Sequence, residues 1–452
     1  MSSPRRFHVR RGLDLPILGV PEQVVEPARA VSTVGLTTRS FAALKPRALV
    51  SEGDRVQLGQ PLLEDRRLPQ LRFTSPGTGR VRAIHRGERR HILSVVVDLD
   101  PGAESQVSFA SFSPKAQDST DGVRALLLES GLWTALRIRP YGHLPLPEAS
   151  PQAIFITALD THPLAPQLDV VLQGREQDFD RGLEVLGKLT SGPLYVCRAP
   201  GSKLGDGSAR ATLAEFSGKH PAGTVGFHIH SLNPVHRRKT VWHLGAQDVA
   251  RIGRLFATGE LDVSVVIALG GPLVRRPRLL RTRLGAPVGP LTDGELSEGE
   301  ARVVSGSVLH GDQCADEREA FLGRYHQQLS VLAEGRRREF LGWLAPGPNE
   351  FSVLPTFLSA LMPNKRFAFH TNLRGGRRAM VPIGAYERVM PMDLMPTHLL
   401  RAVAAGDLEW AEELGALELE EEDVALCSFV CPGKNDYGPA LRRVLESIHQ
   451  EG

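Results

Sequence analysis

"LKPRALVSEGDRVQLGQPLLED", residues 44–65, sets the fold reading of this chain. Short apolar runs are broken by EGD and by LGQP, both turn signals, which is the pattern of short strands rather than of a helix. A second half follows at 71–99, "LRFTSPGTGRVRAIHRGERRHILSVVVDL", joined to the first by "EDRRLPQLRF" at 64–73. Two such halves predict an all-β module over residues 31–113. The whole chain has 452 residues. That exceeds a single hydrophobic core, so roughly two to four domains are expected.

The two-part β pattern resembles the barrel-sandwich hybrid of biotinyl and lipoyl carriers. Those carriers attach their cofactor to a lysine on the hairpin between the halves. Here no lysine occurs between Lys45 and Lys115. Covalent biotinylation or lipoylation has no amine to use, and the module reads as scaffold rather than as a swinging arm.

Composition narrows the class. The chain is 41% hydrophobic and 23% charged, with a net charge of +3. Such balance lacks the basic footprint of a general nucleic-acid binder, so no nucleic-acid partner is expected. Four cysteines, Cys197, Cys314, Cys427 and Cys431, are too few for a disulfide framework and suit a reducing compartment. The opening "MSSPRRFHVRRGLDL" is basic without an apolar core, so no secretory signal is expected. "VSVVIALGGPLV" and "FSVLPTFLSALMP" fall short of the ~20 apolar residues a bilayer requires. Work at a membrane would be peripheral.

Downstream, a Ser/Pro/Gln-rich linker precedes a helical stretch at 123–140, "VRALLLESGLWTALRIRP". An α/β region follows. "AIFITAL", "LYVCRA" and "TVGFHIHSL" read as buried strands, and "QDFDRGLEVLGKL" and "AQDVARIGRLFATG" as the helices between them. No GxGxxG follows any of these strands, so the dinucleotide fingerprint is missing. Residues 263–310 read as a small β-rich module, and the last ~60 residues as helical. No GxSxG, HExxH or P-loop occurs, and no catalytic residue is assigned. The acidic "ELEEEDV" at 418–424 reads as a charged helix start.

Several stretches together are similar to one family: "RRGLDLPILGVPEQ", "FSGKHPAGTVGFHIH", "KTVWHL", "RTRLGA", "VSGSVLHG", "FLGRYH", "VPIGAYERVMPMDLMPT" and "ALCSFVCPGKNDYGPALRR". With the quoted β module, they resemble the A-type subunit of the bacterial sodium-translocating NADH:quinone reductase, from Gly12 to the C-terminus. The resemblance implies a six-subunit respiratory pump that passes electrons from NADH to ubiquinone and exports sodium. This chain would be a peripheral subunit on the cytoplasmic face of the inner membrane, associated with the quinone-reducing end. Its partners would be five other subunits, notably a membrane-embedded, flavin-bearing one. FAD, FMN, riboflavin and iron–sulfur centres would sit in those subunits and none in this chain, which alone would not be catalytic. The implied architecture is multi-domain α+β: a barrel-sandwich module in 1–113, a Rossmann-like α/β core in 114–258, a β-grasp-like insert and following β segments in 259–379, and in 380–452 a helical domain shaped like an iron–sulfur domain. Two other functions compete: a cluster-carrying subunit of the related ferredoxin-linked pump, and a stand-alone small-ligand-binding module.

A four-iron cluster needs four thiolates in a close run. Only Cys427 and Cys431 are near one another, so they read as packed, inert thiols. The family's complex I relative grips its flavin phosphate with a glycine-dense loop. The matching stretch here keeps Gly131 alone, followed by Trp133, Thr134 and Leu136, whose side chains would fill the phosphate's space. Trp133 with Arg137 and Arg139 could face a quinone, or Trp133 could simply fill the vacated cavity. His228 and His230 would share a face of a strand, so a metal is conceivable with a third ligand such as His236 or His243, although backbone-bonded histidines are commoner. His220, His228 and His230 are also candidate proton donors beside quinone. The basic runs Arg275–Arg283 and Arg336–Arg338 would face lipid or a partner, or pair with "DGELSEGE". Met380, Met390, Met392 and Met395 would form a docking surface for a membrane subunit, or fill core.

Overall fold

The computed structural model describes residues 4–102, 105–336 and 345–451. The N-terminal halves form a four-stranded sheet (Thr33–Thr37, Ile92–Leu99, Gly79–Arg86, Arg55–Val56) facing a three-stranded one (Pro46–Ala48, Pro61–Asp65, Arg72–Thr74). Val34, Leu62, Leu63, Phe73, Val95 and Val97 lie buried between them.

The second domain is an open six-stranded sheet. Its order is Arg5–Val9, Ala211–Gly218, Leu194–Arg198, Ile154–Ala158, Val241–Gly245 and Arg137–Arg139. The first five strands run parallel and the last antiparallel. Parallel strands buried on both faces carry near-continuous apolar runs, and "AIFITAL" is one. Ile154 and Ile156 face one layer, which holds the helices Thr120–Glu129, Glu176–Leu186 and Ala246–Thr258. Phe155, with Cys197 and Phe216 of neighbouring strands, faces the other. That second layer contains the helices at 396–451, so the C-terminal region shares a core with the sheet instead of standing apart.

"TVGFHIHSL" is not the strand its pattern predicts. Val225–Leu232 is a helix, and Val225 through Ile229 are all buried. A short apolar run buried all round has no periodicity to separate strand from helix. The consequence is chemical. Residues two apart share a face of a strand but lie about 200° apart on a helix, so His228 and His230 diverge.

A third sheet has the order Gly311–Gln313, Ala301–Gly306, Gln328–Ala333, Ser264–Gly270, Arg278–Arg283, Glu22–Pro27. The first thirty residues therefore give one edge strand to the α/β sheet and another to this one. Among the described residues, no helix is long and apolar enough to cross a membrane.

Candidate functional site

In the α/β sheet the chain runs outward from Ile154–Ala158 through two strands, then returns to place Val241–Gly245 on the other side of Ile154–Ala158. That reversal is a topological switch point. Ligands of open α/β sheets bind outside the carboxyl ends of the strands at such a point. A cleft of about 500 Å³ opens there. Thr157, Asp160 and Gly245 line it from the strand ends, Asp248 and Arg251 from the following helix, and His310, Asp312 and Arg324 through Gln328 from the third sheet and its loops. Glu420, Glu421, Glu422 and Arg442 close it from the C-terminal region.

Most charges in its walls are paired. Arg251 donates to Asp248 at 2.7 Å, and Arg324 to the same carboxylate at 2.9 and 3.1 Å. Burial pushes the Asp248 pKa up, but the two guanidiniums outweigh it and hold the carboxyl below its usual range. Arg442 grips Glu421 at 2.6 and 2.7 Å. His162 meets Asp160 at 2.7 Å. Burial alone would lower the His162 pKa, yet the carboxylate carries it up to about 9.

Arg137 stands apart. Its guanidinium lies 4.3 Å from the ring centroid of Tyr325, its nearest carboxylate contact is Glu420 at 3.9 Å, and its Nε has no hydrogen-bond partner among the described residues. The Tyr325 hydroxyl donates to the Thr134 carbonyl at 2.8 Å, tying this wall to the Trp133 turn. On the adjacent strand His243 is buried, with Nε2 unpartnered among the described residues. Burial, then Arg137 and Arg139, hold its pKa well below the ordinary value, so the ring is neutral. The carboxylates Asp160, Asp248, Asp312 and Glu420–Glu422 are matched in its walls by Arg39, Arg137, Arg251, Arg324, Arg442 and His162, so the cleft carries little net charge to hold an ionic ligand. A neutral ring bearing carbonyls fits better, with Arg137 and a neutral imidazole as hydrogen-bond donors.

The other expected site residues lie elsewhere. Arg139 is 0% exposed. It binds Glu420 and Asp423 at 2.8 Å, Glu422 at 3.6 Å, and the Glu418 carbonyl at 3.0 Å. The "ELEEEDV" run is thus the counter-charge of a buried arginine rather than a simple helix start. Trp133 is buried edge-on against Trp242, and its indole N–H donates to the Pro145 carbonyl at 2.9 Å. It is packed in the core and does not line the cleft. His228 packs on Phe216 and hydrogen-bonds the Ala222 carbonyl, and burial lowers its pKa to about 4. His220 is bonded to Thr161 and is likewise held neutral by burial and by His162. His230 is clamped between Glu418 and the Asp393 amide. Of the residues expected near quinone, only Arg137 lines the cleft; His243, expected only as a third metal ligand, lines it as well.

Cys427 and Cys431 are both buried. The Tyr386 hydroxyl stands 3.1 Å from Cys431 Sγ, and the Tyr437 hydroxyl 3.6 Å. Two phenols thus occupy the ground next to the thiol. No group of three or more His, Cys, Asp or Glu able to hold a metal is present among the described residues. Arg278 pairs with Glu295 of "DGELSEGE" and with Glu26, and Arg336 pairs with Glu300. Arg337 and Arg338 lie outside the described residues. Met390 and Met392 are core residues, Met380 is partly buried, and Met395 is exposed.

Arg324, Tyr325, His326, His310 and the Asp160–His162 pair went unassigned in the sequence. They come from distant segments, and their only signal was clustered polar residues in "FLGRYH" and "VSGSVLHG".

The geometry defines a class: a multidomain scaffold in which the barrel-sandwich module, through Arg39 and Ser40, meets the α/β domain, the third sheet and the C-terminal region around a polar cleft. Comparison makes the assignment specific. Residues 7–100 match a family described as the NqrA N-terminal barrel-sandwich hybrid domain, 118–261 the NqrA second alpha/beta domain, and 266–316 the NQRA C-terminal domain. Relatives named as the A-type subunit of the Na(+)-translocating NADH-quinone reductase are 50% identical in Serratia proteamaculans, 51% in Photorhabdus laumondii and 52% in Klebsiella pneumoniae, each over 98% of this chain and 99% of the relative. Among solved structures, an air-oxidised NAD+-reducing [NiFe]-hydrogenase overlaps 76% of this chain and 64% of its own at TM-score 0.39 and 14% identity, too distant to carry an argument. The chain belongs to the NqrA family, the A-type subunits of the Na(+)-translocating NADH-quinone reductase. It is therefore one component of an oxidoreductase complex of the respiratory chain, with the other subunits as its partners, and these relatives favour that reading over the ferredoxin-linked one.

Proposed function

We propose that this chain is the cofactor-free peripheral component of the quinone end of the complex, on the cytoplasmic face of the inner membrane. It joins five other subunits, which hold FAD, FMN, riboflavin and the iron–sulfur centres. It supports reduction of ubiquinone to ubiquinol coupled to sodium export, and alone it performs no catalysis. The parallel strand order supports a Rossmann-like second domain. The mixed third sheet supports a β-grasp-like one, with divisions near residues 113, 258 and 379. Docking against the membrane subunit falls to Met380 and Met395, because Met390 and Met392 present no surface.

One observation carries the quinone reading: Arg137, with an unsatisfied Nε among the described residues, stands over Tyr325 in the cleft at the switch point. A ubiquinone head group there would receive hydrogen bonds from Arg137 and from neutral His243. Titrating the purified chain with a short-chain ubiquinone tests this. Saturable binding that weakens about tenfold in Arg137→Ala, the worth of one buried hydrogen bond to a charged donor, is the expected result. No binding, or binding indifferent to Arg137, would overturn the assignment to this cleft.

A further inference from the structure

We propose that the lobe formed by residues 346–367 rests on an anionic phospholipid surface. Between Phe351 and Tyr386 the sequence contains no Asp or Glu, while Lys365, Arg366, Arg374, Arg377 and Arg378 fall within it. The lobe is built around packed aromatic rings, with Phe367 buried among them. Phe351 lies 5.7 Å from Phe367, 5.4 Å from Phe369 and 6.3 Å from Phe429. Its aliphatic side chains are left outside. Leu354, Leu358 and Met362 are 40%, 52% and 47% exposed, and Leu361 is 80% exposed. Half-exposed Leu18 adjoins them, since its amide bonds the Phe367 carbonyl.

Single exposed apolar residues are ordinary. Four within nine positions, flanked by cations, are not. The cations are also unspent. The Lys365 ammonium bonds only the neutral oxygens of Pro348 and Asn349, and Arg366 reaches the Ile17 carbonyl. Neither they nor Arg377 and Arg378 have a carboxylate partner among the described residues, whereas Arg374 is paired with Glu350. A side chain four-fifths exposed projects outward instead of lining a groove, and protein interfaces place aromatic anchors, not lone aliphatic tips, at their centre. Projecting aliphatics beside unpaired Lys and Arg match the acyl–headgroup boundary of a bilayer carrying negative lipids.

The full purified chain is mixed with vesicles of phosphatidylcholine alone, or of an equimolar phosphatidylcholine–phosphatidylglycerol mixture, and sedimented. Binding to the anionic vesicles, but not the neutral ones, is expected. It should weaken about fivefold for each cation removed in Lys365→Ala and Arg366→Ala. It should fall again in Leu361→Ser, with the melting temperature unchanged because that side chain is four-fifths exposed. Equal binding to both vesicle types, binding to neither, or indifference to all three substitutions would overturn the proposal. So would variants that ignore vesicles yet fail to assemble with the other subunits, which would make the lobe a protein contact.

Discussion

At the scale of single residues, Arg139 carries the most consequence. It crosses from the α/β sheet to an acidic turn 284 residues later in the chain and is completely enclosed there. Removing one partner of a buried ionic network leaves the others uncompensated, at a cost of about 3–5 kcal/mol. Arg139→Ala should lower unfolding stability in urea by that order. The loss should shrink as pH falls through the carboxylate range, because protonation relieves the stranded Glu422 and Asp423. His162 gives a second expectation of opposite sense. Its pKa is raised in the fold from 6.5 to about 9. Its pairing with Asp160 therefore stabilises fully below pH 6.5 and is lost as pH rises through 9. An NMR titration of the ring should show the late midpoint, and His162→Asn should flatten stability across that window. The sequence displayed both partners of the Arg139 network, an arginine and a run of acids, but nothing local joins groups so far apart. The same distance hid the cleft.

Helices and strands were legible where a sustained 3.6-residue period marked a helix, or a short β-rich apolar run between turn signals marked a strand. "AQDVARIGRLFATG" is the helix Ala246–Thr258, and "AIFITAL" contains the strand Ile154–Ala158, because each carries a pattern long enough to arbitrate. Val225–Leu232 failed because complete burial erases the pattern, and the paired-histidine metal reading failed with it. Two helices also show why glycine matters where backbones touch. A Cβ at Gly253 would stand 1.8 Å from the Asp178 carbonyl oxygen, and one at Gly182 2.1 Å from that of Val249. No side-chain adjustment relieves a clash with backbone. Gly253→Ala should force Glu176–Leu186 and Ala246–Thr258 apart and lower stability by roughly 3 kcal/mol, the upper range for overpacking. Thermal unfolding of the variant checks this.

Across the whole molecule, the barrel-sandwich module was readable from its turn signals and repeated halves. The sharing of elements was not. Residues 5–9 and 22–27 complete sheets formed by segments hundreds of positions away, and the C-terminal helices bury one face of the α/β sheet. The proposed cofactor-free role rests on side chains packed where a cofactor-bearing relative would hold its prosthetic groups. Trp133 is buried against Trp242, Tyr386 and Tyr437 crowd the Cys431 thiol, and no lysine stands on the barrel hairpin. The most direct measurement is the visible absorption spectrum of the purified chain, with flavin and iron assayed on the same sample. A colourless protein with neither in stoichiometric amount is expected. A yellow or brown one, holding either at one per chain, would contradict the account.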